Sequence, residues 1–299
     1  MTDSASSSVS ACVVVRNEEA VIERCLQSLE EVVDEVVLVH DGECEDRTLE
    51  IAERHGCRIY VRPLVGHAEV ATVFAYEQAH GEWILSLDAD EFLSAALRSE
   101  LRALVSAEDV NGYEVLWRMW DGTRYITESG PYKLSLFRRS RVHVLGMIHA
   151  VERVDPPVRR VQLQLEHRPA YNNYSLRTML TKQRRWARLN AREFIGELSD
   201  LPSFNWDGPV GWPARRRILN RLAPLLFPAY LPAVFVLGML RGASHSDVRD
   251  RVRMAFAQAC YASLVQFYVA KYLYLGVGAD REHVAAEPPR PMRGDRGAT

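Results

Sequence analysis

Between Val9 and Asp88 the sequence switches repeatedly between two hydrophobic periods, and this alternation is the strongest constraint on its fold. VSACVVV from Val9, DEVVLVHDG from Asp34, CRIYVRP from Cys57 and EWILSLD from Glu82 are apolar runs rich in β-branched residues. Such runs suit strands buried on both faces of a sheet. Helical stretches separate them. One runs from Asn17, read as an N-cap, to about Leu29; the next runs from Asp46 to a stop at Gly56; a third spans Ala68 to His80, ahead of Gly81. Strands alternating with helices of this length predict an α/β fold, with a mainly parallel sheet and right-handed crossovers. Ligands of such sheets bind beyond the carboxyl ends of the strands, where Asp41 and Asp88 stand. No G-x-G-x-x-G follows the first strand, so the dinucleotide fingerprint is missing.

From about Asn111 the regularity breaks. YEVLWRMW, KLSLFRR and VQLQLEH read as strands of a mixed sheet, separated by turns at Asp121-Gly122, Gly130-Pro131 and Asp155-Pro156-Pro157. Ser175 to about Leu198 reads as a basic helix carrying Arg177, Lys182, Arg184, Arg185, Arg188 and Arg192. Leu222 to Leu240 holds no charge over 19 residues, but Pro224, Pro228 and Pro232 interrupt it. That spacing predicts a kinked segment at a membrane interface, with a buried irregular hairpin and a true span as the alternatives. Val248 to Leu275 reads as a long amphipathic helix, and the chain beyond Gly278 as a Pro/Arg-rich tail. The expected organisation is a lead-in over 1–8, a catalytic domain over 9–200, a helical region over 201–278 that can associate with membrane, and a disordered tail over 279–299.

The net charge of −2 conceals an asymmetry: residues 1–110 carry 23 acidic and 8 basic side chains, and the remainder 16 acidic and 29 basic. The acidic half is suited to phosphates only through an intervening cation, whereas the basic half suits anionic substrates or a membrane surface. No nucleic-acid-binding module is recognisable. The five cysteines form no C-x-x-C pair and no zinc spacing, and MTDSASSSVS lacks the features of a signal peptide. A cytoplasmic location, including the cytoplasmic face of a membrane, is expected.

Asp88, Asp90 and Glu91 crowd the end of the fourth strand. A D-x-D there is tolerable when a divalent cation neutralises it, and oxygen ligands suit Mg²⁺ or Mn²⁺. Such a cation would bridge a diphosphate and stabilise charge developing on a leaving group. The alternative is a solvated acidic turn.

The stretches VVVRNEEAVIERCLQSL, VVLVHDGECEDRTLEIAERHG and GEWILSLDADE resemble the N-terminal half of family 2 glycosyltransferases with the GT-A fold. Within that family the chain most resembles the branch of bacterial lipopolysaccharide-core β-glucosyltransferases, through LSLFRR, His149 in GMIHAVE, LEHRPAYNNYSLRTMLTKQRRWA and the C-terminal LRG…VAKYL region. The resemblance implies a GT-A domain with a C-terminal helical extension, a nucleotide-sugar donor and a divalent cation. It assigns the donor to Val15, Arg16, Glu18, Asp41, Asp88, Ala89 and Arg138, and the metal to Asp90 and His149. Each has a plainer reading. Asp41 could cap a helix, Arg16 to Glu18 could serve helix capping, Arg138 and Arg139 could be a solvated strand end, and His149 could be structural. Glu91 is either a supporting residue or the start of the next helix, and His167 an orienting residue. For the general base that inverting transfer needs, the candidates are Glu128 and Glu152, each otherwise a surface carboxylate. Three departures stand out: Thr72-Val73 where the family often has Arg-Asn, His149-Ala150 for His-Glu, and Gly130-Pro131 for Pro-Asp.

The expected function is metal-dependent, inverting transfer of a hexose from a nucleotide-diphosphate sugar, UDP-sugar favoured. The expected acceptor is a hydroxyl of a glycan, a lipid-linked molecule or a metabolite, with peripheral membrane contact. Nucleotidyl transfer is the alternative enzyme class, although RNEEA is not the Gly-rich basic loop that holds a triphosphate. A non-catalytic binding protein that keeps the fold is the other alternative.

Overall fold

Strands β1 (Val9–Val15), β2 (Glu35–Asp41), β3 (Arg58–Arg62) and β4 (Trp83–Asp88) form the parallel half of an eight-stranded sheet in the order β3-β2-β1-β4-β7-β6-β10-β5. The structure, a computed structural model, describes residues 7–147, 152–172, 178–195, 201–208, 218, 222–241 and 247–276. Helices α1 (Ile22–Leu29), α2 (Thr48–Arg54) and α3 (Ala68–Gln78) connect the parallel strands, as the alternating pattern requires. The period of two along β1 divides its side chains between the faces. Ala11, Val13 and Val15 enter the core with α1 and α2, whereas Cys12 packs with α3 on the other face.

The second half of the sheet departs from the alternation. A short strand β5 (Glu91–Leu93) follows the D-x-D at once, so Glu91 opens a strand and not a helix. Helix α4 (Ala95–Val105), capped by the Ser94 hydroxyl, leads to β6 (Gly112–Trp117). Strand β7 (Tyr132–Arg138) then inserts between β4 and β6, antiparallel to both. Strand β10 (Val158–His167) lies parallel to β6 and pairs antiparallel with β5. This topology brings the carboxyl ends of β1, β2, β4, β6 and β10 to one edge of the sheet, together with the amino end of β7. A small antiparallel sheet, β11 (Ser203–Phe204), β8 (Val142–Leu145) and β9 (Arg153–Val154), stands beside it.

The basic helix α5 (Arg184–Ile195) follows one π-helical turn and shares a core with the last helix, α7 (Val248–Leu275), through Ala187, Ala191, Val265, Tyr268 and Val269. Helix α6 (Ala223–Arg241) corrects the expectation of a broken segment, since it is one helix of 19 residues. Pro224 lies in its first turn, where a missing N–H removes no intrahelical bond. Pro228 and Pro232 cost about 3 kcal/mol each in a lone helix. Here α6 packs along α7, so closely that a Cβ on Gly238 would stand 2.9 Å from Ala255 Cα. Tertiary burial, not local propensity, holds most helices of proteins together. Among the described residues, no helix is long and apolar enough to cross a membrane.

Candidate active site

The loop after β1 is built by hydrogen bonds to its neighbours. Asn17 adopts a positive φ of 52°, a conformation Asn tolerates, and its side chain accepts from the Glu45 amide. It caps no helix, because α1 begins only at Ile22, with Val21 before it. The Glu18 amide donates to Thr48 Oγ1 at 2.7 Å, and the Glu19 amide to Asp46, whose carboxylate also accepts from the Thr48 amide ahead of α2. The Glu18 carboxyl is thereby held beside the end of β4. Burial, then the charges of Asp90 and Asp88, push it up to about 7.

Asp88 is the exposed member of the D-x-D, its side chain 58% accessible, with Lys133 Nζ at 3.1 Å. Asp90 is the enclosed member and lies 3.5 Å from His167 Nε2. Burial alone would raise Asp90, but His167, with help from Lys182 and Lys133, holds its carboxyl below the ordinary value. The His167 ring stacks on Trp117 at 4.3 Å, which fixes its orientation toward Asp90.

Glu91, fully buried, ties this corner together. It accepts from the Asp88 amide at 2.9 Å, Trp117 Nε1 at 2.6 Å and Lys133 Nζ at 2.6 Å. Burial pushes its carboxyl up to about 7 against the pull of Lys133. Every partner is a donor, so the hydrogen-bond set fits the ionised carboxylate. Lys133 is itself held protonated: burial works against its charge, but Asp88 and Glu91 raise its pKa well above the usual value. Glu91 is therefore the supporting residue that orients Asp88 and Lys133.

A cavity of about 190 Å³ opens beside Asp88, lined by Thr72, Tyr76, Ser86, Lys133 and Glu152 among others. Tyr76 is wholly buried, and its hydroxyl bridges Ser86 Oγ at 2.8 Å and Glu152 Oε1 at 3.0 Å. Glu152 thus faces the D-x-D across open space. Glu128 is exposed in the loop before β7 and does not line this cavity.

Several expected site residues are placed otherwise. Val15 and Ala89 turn their side chains into the main core, which leaves only their backbone for a ligand. Asp41 caps no helix; its two oxygens accept from the Val65 and Gly66 amides at 2.8 and 2.9 Å and so pin the loop before α3. Arg138 is a correction: it pairs with Trp83 at the opening end of β4, the far edge of the sheet from Asp88. There it bonds Glu82 and the carbonyls of Val110 and Ala107 and covers the Trp83 ring, so it is structural. His149 lies outside the described residues. Basic groups gather near Asp41, at the same edge of the sheet as Asp88. Arg185 donates to Gly66 O and is close enough to Arg16 that, after burial, Arg16 is the largest cause lowering its pKa. Arg16 Nη1 and Arg185 Nε are both buried without a hydrogen-bond partner.

The residues fit a divalent cation of the Mg²⁺ type. Among the described residues no three His, Cys, Asp or Glu converge into a complete metal cage. Mg²⁺, however, uses one or two carboxylates and takes its other oxygens from water and substrate phosphates. Asp88 and Asp90 supply two, and their charges, after burial, push the neighbouring Glu18 carboxyl up.

Residues 10–151, just under half of the chain, match the family model described as glycosyl transferase family 2. That span is similar to the family, and the match takes in the parallel half-sheet and the acidic strand end. An uncharacterized glycosyltransferase of Rickettsia bellii is 34% identical over 113 residues, 38% of each chain. The lipopolysaccharide core biosynthesis glycosyltransferase LpsC of Rhizobium meliloti is 34% identical over 116 residues, 37% of this chain and 42% of LpsC. This chain thus aligns with only about two fifths of the length of these relatives. Among solved structures, S. aureus TarS 1-349 in complex with UDP-GlcNAc covers 89% of this chain and 92% of its own, at 15% identity and a TM-score of 0.43. An overlap that loose places no ligand here.

Proposed function

We propose that this protein transfers a hexose, with inversion, from a UDP-sugar to a hydroxyl of a glycan, lipid-linked or small-molecule acceptor. The observation that carries this reading is the pairing across one cavity of a D-x-D corner with a carboxylate, Glu152, that has no ion-pair partner among the described residues. Asp90 and Asp88 would hold a divalent cation, which when bound neutralises the donor's diphosphate and stabilises it as a leaving group. Lys182, Arg185 and Arg16 would add positive charge that stabilises the negative charge developing on the departing diphosphate. Glu152, oriented by Tyr76, takes the proton of the acceptor hydroxyl as its oxygen bonds to the anomeric carbon. The bond from that carbon to the phosphate oxygen breaks, and the diphosphate leaves with the electron pair.

Asp90→Asn is expected to abolish turnover while leaving the fold intact. Glu152→Gln is expected to lower kcat by about 10²–10⁴-fold with donor KM unchanged, and Glu128→Gln to stay within about threefold of the parent. Steady-state assays with a panel of nucleotide sugars and Mn²⁺ read all three. Full activity of Asp90→Asn, or of the parent in chelator, sinks the mechanism.

The membrane contact belongs to the same proposal. Ala229, Pro232, Ala233, Val236, Leu237 and Leu240 share the solvent face of α6, and Arg241 follows them. This uncharged stripe beside an exposed cation suits a peripheral seat on an anionic bilayer surface.

A further inference from the structure

A second cleft, of about 450 Å³, lies between α1 and the loop after β10, and the reaction described above leaves it unused. Its walls carry two arginines from distant parts of the chain, Arg24 and Arg168. They share one aromatic support, with Arg24 Cζ 4.2 Å and Arg168 Cζ 5.7 Å from the centre of the Phe92 ring. Like charges brought this close repel, and after burial Arg168 is the largest influence lowering the Arg24 pKa. Arg24 spends one N–H on the Arg168 carbonyl at 3.0 Å, and its Nε is buried with no partner.

The charges of Asp90 and Glu166 support Arg24 from a distance, but no nearby carboxylate pairs with it directly. Glu23, on the wall of the cleft, is engaged by Arg54 and His55, each at 3.1 Å. Glu166 lies 3.4 Å from Arg168, and Arg24 has no ion-pair partner among the described residues. Trp120 completes the wall. It covers the Arg168 guanidinium at 4.8 Å and sits in a small turn that the Asp121 carboxylate pins through the Thr123 and Arg124 amides. Two guanidiniums against an aromatic wall make a site for an oxyanion carried on a sugar. The cleft adjoins the D-x-D corner, since the Arg168 amide donates to the Asp90 carbonyl at 2.9 Å.

We propose that Arg24 and Arg168 bind an anionic substituent, phosphate or carboxylate, of a sugar unit of the acceptor. The inference rests on the transferase reading for the word acceptor. The oxyanion site itself is testable without turnover.

The experiment is calorimetric titration of the full chain with glucose 6-phosphate, glucuronate and glucose, each with and without saturating UDP and Mn²⁺. The anionic sugars are expected to bind with UDP present, and glucose at least about tenfold more weakly, the scale of a lost charge-assisted contact. Whichever of phosphate and carboxylate binds tighter identifies the substituent. Arg24→Gln and Gln27→Glu are expected to weaken the preferred anion by about tenfold or more while UDP binding stays within twofold. Gln27 is exposed on α1 at the rim, so its substitution adds negative charge without disturbing the core. Equal binding of glucose and both anions, or unchanged affinity in Gln27→Glu and a folded Arg24→Gln, overturns the proposal. Failure of UDP to bind overturns the donor reading alone, because the anion titration without UDP still reports on the cleft.

Discussion

Lys133 is the residue on which the acidic corner turns. Its ammonium lies against Glu91, which is wholly buried, and reaches Asp88. Breaking a buried pair by removing one partner is far costlier than never having made it, because the other charge is left stranded. Lys133→Met is therefore expected to destabilise the metal-free protein by about 3–5 kcal/mol in urea unfolding, with much of the loss recovered in the double variant with Glu91→Gln. A loss equal in both proteins would show that the pair is not the cause. Glu18 gives a pH signature. Its folded pKa of about 7 lies above the ordinary 4.5, so between those values the folded state binds more protons than the unfolded one. Stability supplied by the protonated form is complete below pH 4.5 and is lost as pH rises through about 7. Glu18→Gln should flatten this slope by about 1–3 kcal/mol across the window. A parent protein whose stability rises over that range contradicts the assignment. The family resemblance placed Glu18 on the donor side with Asp88, whereas Lys133 was not legible as part of this corner. Asp88 and Asp90 stand out in sequence because they end an apolar strand, but Lys133 is one basic residue at the start of another strand. Its contact with Glu91 exists only because β7 inserts antiparallel beside β4.

At the scale of elements, the first four strands and their helices follow the sequence period closely, because each buries its apolar face against its immediate neighbours. The start of α1 was misjudged: the side chain of Asn17 serves the loop before α2, so the helix begins a turn later. Helix α6 was misread for a related reason. Three prolines argue against a helix when only the local chain is considered, and the close seat of Gly238 on Ala255 in α7 lies beyond that view. Once formed, α6 leaves Val236, Leu237 and Leu240 exposed by 54%, 46% and 74%. Leu237→Glu with Leu240→Glu should weaken co-sedimentation with anionic vesicles by about tenfold or more, since two apolar contacts worth roughly 1.5 kcal/mol or more each are replaced by charge. Unchanged sedimentation would remove the bilayer from the proposal without touching the chemistry.

For the whole molecule, the charge asymmetry becomes a spatial relation: acidic strand ends meet basic groups of the body formed by α5 and α7, with Lys182 acting on Asp90 and Arg185 near Asp41. Arg124 ties that body to the sheet through Asp250 at 2.8 Å, and Arg185 does so through Gly66. Donor and cation should therefore bind together, because the acidic half repels a diphosphate that arrives alone. Thermal unfolding with UDP and Mn²⁺ at about a hundred times Kd should show about 2.7 kcal/mol of stabilisation, and UDP alone clearly less. Equal stabilisation by UDP in chelator would count against a metal site at Asp88 and Asp90. The sequence by itself determined the parallel half-sheet and the acidic strand end, since both are written in short-range periodicity and in the residues that close each strand. The tertiary structure alone decided which charges meet. It put Arg138 at the far edge, set Glu152 on the cavity beside Asp88 with Glu128 outside it, and brought Arg24 beside Arg168, because strand order and direction arise from burying whole faces and leave no trace in local spacing.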